Sequence, residues 1–233
     1  VFIPLIRKML KDETNHNNWR YLETLIIICG LWIGSNLEEY ADKDKSELKK
    51  SAVGEFLPVI RTKCLQNLNH PVSNIRCEAC ITLAKMEGGG EGILETTKEV
   101  YDAVLKRCHD YRYTVRTNAR LCMSAMLLAN EEKQIKKFFE SKVPGLASYC
   151  LYSLARFPDV CEVEEILSLL DPLLSEYAQV IPRVVEQHIL PYLINRLNNG
   201  DGIQSRLLVM EALIPAAKSL GSKFIPLAQG VFS

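Results

Sequence analysis

The chain has 233 residues, enough for one large domain or for an array of small units. Lysine plus arginine and aspartate plus glutamate number 28 each, so no net field draws the protein toward nucleic acid or a membrane surface. An apolar content of 48% with 12 glycines and 10 prolines suits a folded, helix-rich chain. The longest uncharged apolar stretch, Leu25 to Gly34, is about half a membrane span, so no membrane association is expected. Eight cysteines, at 29, 64, 77, 80, 108, 122, 150 and 161, lie mostly among Ile, Leu, Met and Ala and lack the spacing of a disulfide scaffold. They read as buried thiols in a reducing, intracellular compartment, cytoplasm or nucleus. The chain starts with Val1, which predicts a start inside a longer protein or after processing; no secretory leader and no Asn-x-Ser/Thr is visible.

Two phrases recur along the chain. The first is apolar-Pro-apolar followed by a helical apolar stripe: "FIPLIRKML" at Pro4, "FLPVIRTKCL" at Pro58, "KVPGLASYCL" at Pro144, "ILPYLINRL" at Pro191 and "FIPLAQGVF" at Pro226. In the third copy, "VYDAVLKRC", Asp102 stands where the proline is expected. The mean interval from Pro4 to Pro226 is about 44 residues, inside the roughly 40–47 window of two-helix repeats. The second phrase sets Ile75-Arg76 and Ala79 over Val115-Arg116 and Ala119, 40 residues on. Arg20, Arg76, Arg116 and Arg206 follow Pro4, Pro58, Asp102 and Pro191 by 16, 18, 14 and 15 residues, so the two phrases keep step.

The predicted units therefore run 1–40, 46–90, 94–130, 131–179 and 180–221, with a sixth begun at 222–233, as one array. Each reads as helix, turn, helix. In the second unit the helices span about Glu47 to Leu68 and Val72 to Met86, joined at Asn69-His70-Pro71. Val72, Ile75, Ala79, Leu83 and Met86 recur at steps of three and four, one face of a helix. Val115, Ala119, Cys122 and Met126 repeat that stripe, as do Ile203, Leu207, Met210, Leu213 and Ala217. The fourth unit is degenerate, without an arginine near Asp159. A hairpin of two helices cannot bury its apolar stripe alone, whereas stacked copies bury a continuous core. Arg76, Arg116 and Arg206 are expected to form a ladder, each reaching an acidic group or carbonyl in its own or a neighbouring unit.

These features resemble the HEAT-repeat family, through the first-helix prolines and the Val/Ile-Arg-x-x-Ala second helix, with Asp110 as the turn acid. The resemblance implies an all-α, right-handed α-solenoid of about five two-helix units whose second helices line a concave, partner-binding surface. "NNWRYLETLIIICG", at 17–30, is similar to units in importin-β-type transport receptors and to the first unit of tubulin-binding TOG domains. There Trp19 is either a partner anchor or a staple at its own helix entry.

No catalytic constellation emerges. Cys77-x-x-Cys80 lies within a helical stripe, without the preceding strand of a redox motif or a second pair at zinc spacing. "RCHD" at 107–110 reads as a turn. Cys77, His109 and the remaining histidines at 16, 70 and 188 form no metal pattern, and "EGGGEG" at 87–92 is a link rather than a phosphate loop. We therefore expect no enzyme, cofactor or metal. The expected role is a scaffold segment binding a protein partner within a multi-subunit assembly. The alternative is a nucleic-acid contact through Lys106, Arg107, Arg112, Arg116 and Arg120, in which Arg112, Arg116 and Arg120 share one helix face. Apolar residues at both ends, Val1 to Ile3 and Phe224 to Phe232, predict that the array continues beyond this chain.

Overall fold

The structure is a computed structural model. It describes residues 2–15, 17–40, 50–89, 98–128, 133–156, 160–199 and 203–228. Every regular element among them is helical. The chain divides into two compact units, Val1–Ile135 and Lys136–Ser233.

In the first unit the elements are α1 (Phe2–Lys11), α2 (Trp19–Tyr40), α3 (Ala52–Asn67), α4 (Ser73–Gly89), α5 (Lys98–Cys108) and α6 (Tyr113–Leu128). They pair as hairpins: α1 packs on α2, α3 on α4, and α5 on α6. The larger interfaces run across hairpins, α2 on α4 and α4 on α6, so the second helices lie side by side in a helical-repeat arrangement. Two of the three stripes read from the sequence are the packed faces: Ile75, Ala79, Leu83 and Met86 of α4, and Val115, Ala119, Cys122 and Met126 of α6, are all buried, whereas in the third Ile203, Leu207 and Met210 are exposed. The second hairpin starts later than its apolar pattern suggested. Ser51 caps α3, its hydroxyl accepting the Gly54 N–H at 3.3 Å, and Glu47 lies outside the described residues.

Close approach between second helices rests on small residues. A Cβ on Gly30 would sit 2.5 Å from the Thr82 hydroxyl oxygen, and that hydroxyl donates to the Ile26 carbonyl at 3.3 Å. Ala79 of α4 and Ala119 of α6 are both fully buried.

The second unit comprises most of α7 (Lys133–Arg156), α8 (Val160–Tyr177), α9 (Pro182–Val184), α10 (Leu190–Asn199), α11 (Ile203–Leu220) and α12 (Phe224–Ala228). Here α8 packs on α11, and α10 on α11. Phe139 of α7 meets Tyr177 of α8 with ring centroids 6.3 Å apart.

The recurring prolines do not share one position in their helices. Pro4 and Pro226 sit in the first turn, where their missing N–H costs nothing. Pro58 and Pro144 lie inside α3 and α7, and in both a hydroxyl four residues on, Thr62 or Ser148, donates to the proline carbonyl at 2.9 Å. Pro191 follows a π-helical turn, Val185–Ile189, which widens the backbone just where the ring would meet the preceding turn. The apolar closing residues Val231 and Phe232, the link at 90–92 and the turn at 200–202 lie outside the described residues.

Two glycines are expected to respond in opposite directions. Gly30→Val forces a branched side chain into Thr82 and should lower stability by about 1–3 kcal/mol. Gly145, within α7, has nothing within 4 Å of an added Cβ, so Gly145→Ala should raise stability by about 0.5–1 kcal/mol. Urea unfolding followed by circular dichroism measures both.

Candidate functional site

The Asp110 carboxylate, in the turn between α5 and α6, accepts four hydrogen bonds. Arg76, near the start of α4, grips it with two parallel bonds: Nε to Oδ2 at 2.9 Å and Nη2 to Oδ1 at 2.9 Å. Both side chains are buried. Arg107 donates to Oδ2 at 3.0 Å, and the Arg112 N–H donates to Oδ1 at 3.0 Å. The remaining Arg76 nitrogen, Nη1, turns back to its own hairpin, donating to the His70 carbonyl at 2.8 Å and the Pro71 carbonyl at 3.0 Å. One guanidinium therefore closes the turn of one hairpin and pins it to the turn of the next. The Tyr111 ring lies 5.1 Å from the Arg76 guanidinium carbon.

Arg116 repeats the inner half of this pattern. Its Nη1 donates to the Asp110 carbonyl at 2.8 Å and the Tyr111 carbonyl at 3.1 Å, the same two positions relative to itself that Arg76 uses. The turn residues also repeat their task with different chemistry. Asn18 Oδ1 accepts the Arg20 N–H at 3.1 Å, His70 Nδ1 accepts the Val72 N–H at 3.1 Å, and Asp110 Oδ1 accepts that of Arg112. Each side chain caps the backbone two residues on. No sequence pattern that treats Asn, His and Asp as different letters would find this shared role.

Electrostatics follow from the geometry. Burial opposes ionisation of Asp110, but the Arg76 hydrogen bonds, the Arg112 N–H and the nearby charges of Arg76 and Arg107 outweigh it and hold the carboxyl below its usual range. The Asp110 hydrogen bond raises the pKa of Arg76 against burial.

The other residues singled out by sequence fall in different places. Arg120 does not share a surface stripe with Arg112: it is 1% exposed, within α6, and its charge acts on the Cys108 thiol. The fourfold spacing breaks because Arg112 precedes the first turn of α6, where it is exposed beside Tyr111. Arg206 is exposed at the start of α11, so the buried grip of Arg76 does not extend to it. Arg20 is exposed as well, with its guanidinium carbon 5.1 Å from the Trp19 ring centre. Trp19 is 40% exposed at the first turn of α2.

Six of the eight cysteines are buried, Cys77 is half-buried and Cys161 is exposed. Burial pushes the Cys29 and Cys108 thiols up to about 12, and burial raises the thiols of Cys64, Cys80 and Cys122 as well. Cys77 accepts from Asn118 Nδ2 at 3.2 Å and faces the Thr114 carbonyl at 3.8 Å, so it packs α4 on α6. Nucleophilic thiols need a lowered pKa, and these are raised. Among the described residues no group of three or more His, Cys, Asp or Glu is placed to hold a metal, and no helix is long and apolar enough to cross a membrane.

The second helices also present an open edge. Successive solvent-facing positions are Thr24, Leu31 and Ser35 on α2, Asn74 on α4, and Thr114, Leu121 and Leu128 on α6. Half-buried Glu78, Ile81 and Lys85 fill the α4 level. In the second unit an open groove of about 560 Å³ between α8 and α11 is lined by Asp171, Leu174, Glu211, Ile214 and Lys218, among others. Burial and the neighbouring Glu211 raise the pKa of Asp171.

Two outcomes are expected. A carboxyl held below its ordinary value contributes stability above the unfolded pKa of about 3.9, and that contribution is lost as pH falls through the lower folded value. Asp110→Asn should cost about 3–5 kcal/mol near neutral pH and flatten the fall in stability below about pH 4, as read by urea titrations at several pH values. With a thiol reagent, exposed Cys161 should react first, half-buried Cys77 slowly, and the six buried cysteines only on unfolding, as read by mass spectrometry of the labelled protein.

No family model matches the chain, and no curated protein matches it. Its fold is similar to crystal structures of two engineered proteins from the Northeast Structural Genomics Consortium. One is 14% identical with a TM-score of 0.61, covering 94% of this chain and 98% of that one. The other is 16% identical with a TM-score of 0.62, covering 98% of this chain and 51% of that one.

Proposed function

We propose that this chain is a HEAT-type helical array of about five hairpins, right-handed in its winding, that serves as a non-catalytic scaffold segment. Its partner is another protein, bound across the open edge of the stacked second helices. The observation that carries this reading is the composition of that edge. Leu31, Leu121 and Leu128 stand in solvent on helices whose other faces are packed, interspersed with Thr, Asn and Glu. Apolar anchors within a polar surround match a protein-recognition surface better than a phosphate-binding one.

The nucleic-acid alternative loses its main support. Arg76 and Arg107 are tied to Asp110, Arg116 holds turn carbonyls, and Arg120 is interior, which leaves Arg112 as the exposed arginine of that group. Placement in an intracellular assembly accords with the eight cysteines and remains part of the same proposal.

Affinity capture from cell extract with the 233-residue chain, followed by Leu31→Glu and Leu121→Glu, tests it. We expect a protein partner whose binding is lost in both variants and little changed between low and moderate salt. A partner that is nucleic acid, released over that salt range with a steep dependence, or capture indifferent to both variants, would overturn the reading.

A further inference from the structure

Three consecutive hairpins close with the same turn, and the side chain that completes it differs each time. The N–H groups of Asn18, His70 and Asp110 donate to the carbonyl three residues back, at 2.9, 3.1 and 2.9 Å. In each turn the side chain of that residue then accepts the N–H two residues on. The three acceptors respond differently to acid. An amide oxygen accepts at any pH. A carboxylate accepts until strong acid, and Asp110 is held below its usual range. An imidazole nitrogen accepts only while it carries no proton. Of the three turns, the middle one is therefore closed by a group that changes charge near neutrality.

We propose that the turn at His70 is an acid-sensitive joint: a proton on His70 Nδ1 turns the acceptor of the Val72 N–H into a donor and loosens the α3–α4 hairpin before its neighbours. The bond at stake is 3.1 Å long, on a half-buried residue. The backbone of His70 is engaged on both sides, its N–H with the Asn67 carbonyl and its own carbonyl with Arg76 Nη1 at 2.8 Å. Val72, which would lose its partner, supplies the carbonyl that accepts the Arg76 N–H at the start of α4. The surrounding charges matter to the outcome. Arg76 already sets a cation against the His70 carbonyl, and the start of a helix disfavours a second one. The first turn of α4 has no acidic residue to offset it, and the last turn of α3 has no basic one. Asp110 faces from the next turn and would favour an imidazolium, but Arg76 and Arg107 already bind it, with the Tyr111 ring over Arg76. In the preceding turn Asn18 is uncharged and Arg20 lies over Trp19. A positive charge at His70 thus weakens the carbonyl bonds by which Arg76 closes this turn, and with them the anchor from which Arg76 reaches Asp110. Such a joint operates whatever the second-helix edge binds.

Nuclear magnetic resonance of the 233-residue chain, from about pH 7.5 to about pH 5, tests it. At the upper end the ¹⁵N shifts of the His70 ring should show the proton on Nε2 and none on Nδ1. As Nδ1 gains its proton, the Val72 amide signal should move with it, and the hydrogen-exchange protection factor of Val72 should fall roughly fivefold or more. The amides of Arg20 and Arg112, held by Asn18 and Asp110, should keep their protection over the same range. His70→Asn installs in the middle turn the acceptor that turn one already uses, so Val72 should stay protected throughout. A neutral ring protonated on Nδ1, a ring that takes up no second proton by pH 5, or a Val72 amide indifferent to the ring's titration overturns the proposal. So does a fall in protection that persists in His70→Asn, which would place the titrating group elsewhere. Should that variant not fold, the coincidence of ring and amide titrations in the unaltered chain decides the matter.

Discussion

One buried guanidinium ties the first unit together. Arg76 satisfies two carbonyls of its own turn and both oxygens of Asp110 in the next. Both ions are out of water, so the pair stands only because its hydrogen bonds are nearly complete. That completeness demands a fixed spacing of the two turns. The turns in turn fix where α4 and α6 begin, and hence which faces meet. Cys77 against Asn118 follows from that register. A slip of one residue would leave a buried carboxylate without its donor, a larger loss than any single apolar contact here would suffer.

Around this polar fixture the packing is ordinary and close. Gly30 lets α2 approach Thr82, and small or sulfur-bearing residues line the interior. The six buried cysteines belong to the interior as compact apolar groups. Their raised pKa values are a consequence of burial rather than a preparation for chemistry. What the second helices of the first unit leave in water is a different set of residues, among them Leu31, Leu121 and Leu128.

Much of this was legible in the sequence because it is periodic. Steps of three and four located the packed faces of α4 and α6, but on α11 they picked out Ile203, Leu207 and Met210, which stand in water while Val209, Ala212, Leu213 and Ala216 form the packed face; the forty-residue echo of Arg76 in Arg116 marked a repeated hydrogen-bond pattern. Asp110 could be read as the turn acid, but not as the acceptor for four donors, which depends on two hairpins meeting. Arg120 misled because spacing along a helix does not say which side faces the interior. An arginine is more often solvated, and here neighbouring helices enclose it. Arg206 misled in the opposite way, matching the phrase while standing in solvent. The shared task of Asn18, His70 and Asp110 was hidden because three unlike side chains supply one acceptor. The leucines of the open edge were missed since a single exposed leucine is unremarkable in sequence and becomes informative only beside its neighbours on adjacent helices.

The central claim is that consecutive hairpins are held in register by the Arg76–Asp110 pair. A double-mutant cycle measures it most directly: Arg76→Met, Asp110→Asn and the combined variant, each unfolded in urea at neutral pH. The account predicts that the two single losses do not add, with a coupling of about 1.5–3 kcal/mol and the double variant more stable than either loss alone would suggest. Additive losses, with a coupling indistinguishable from zero, would contradict it.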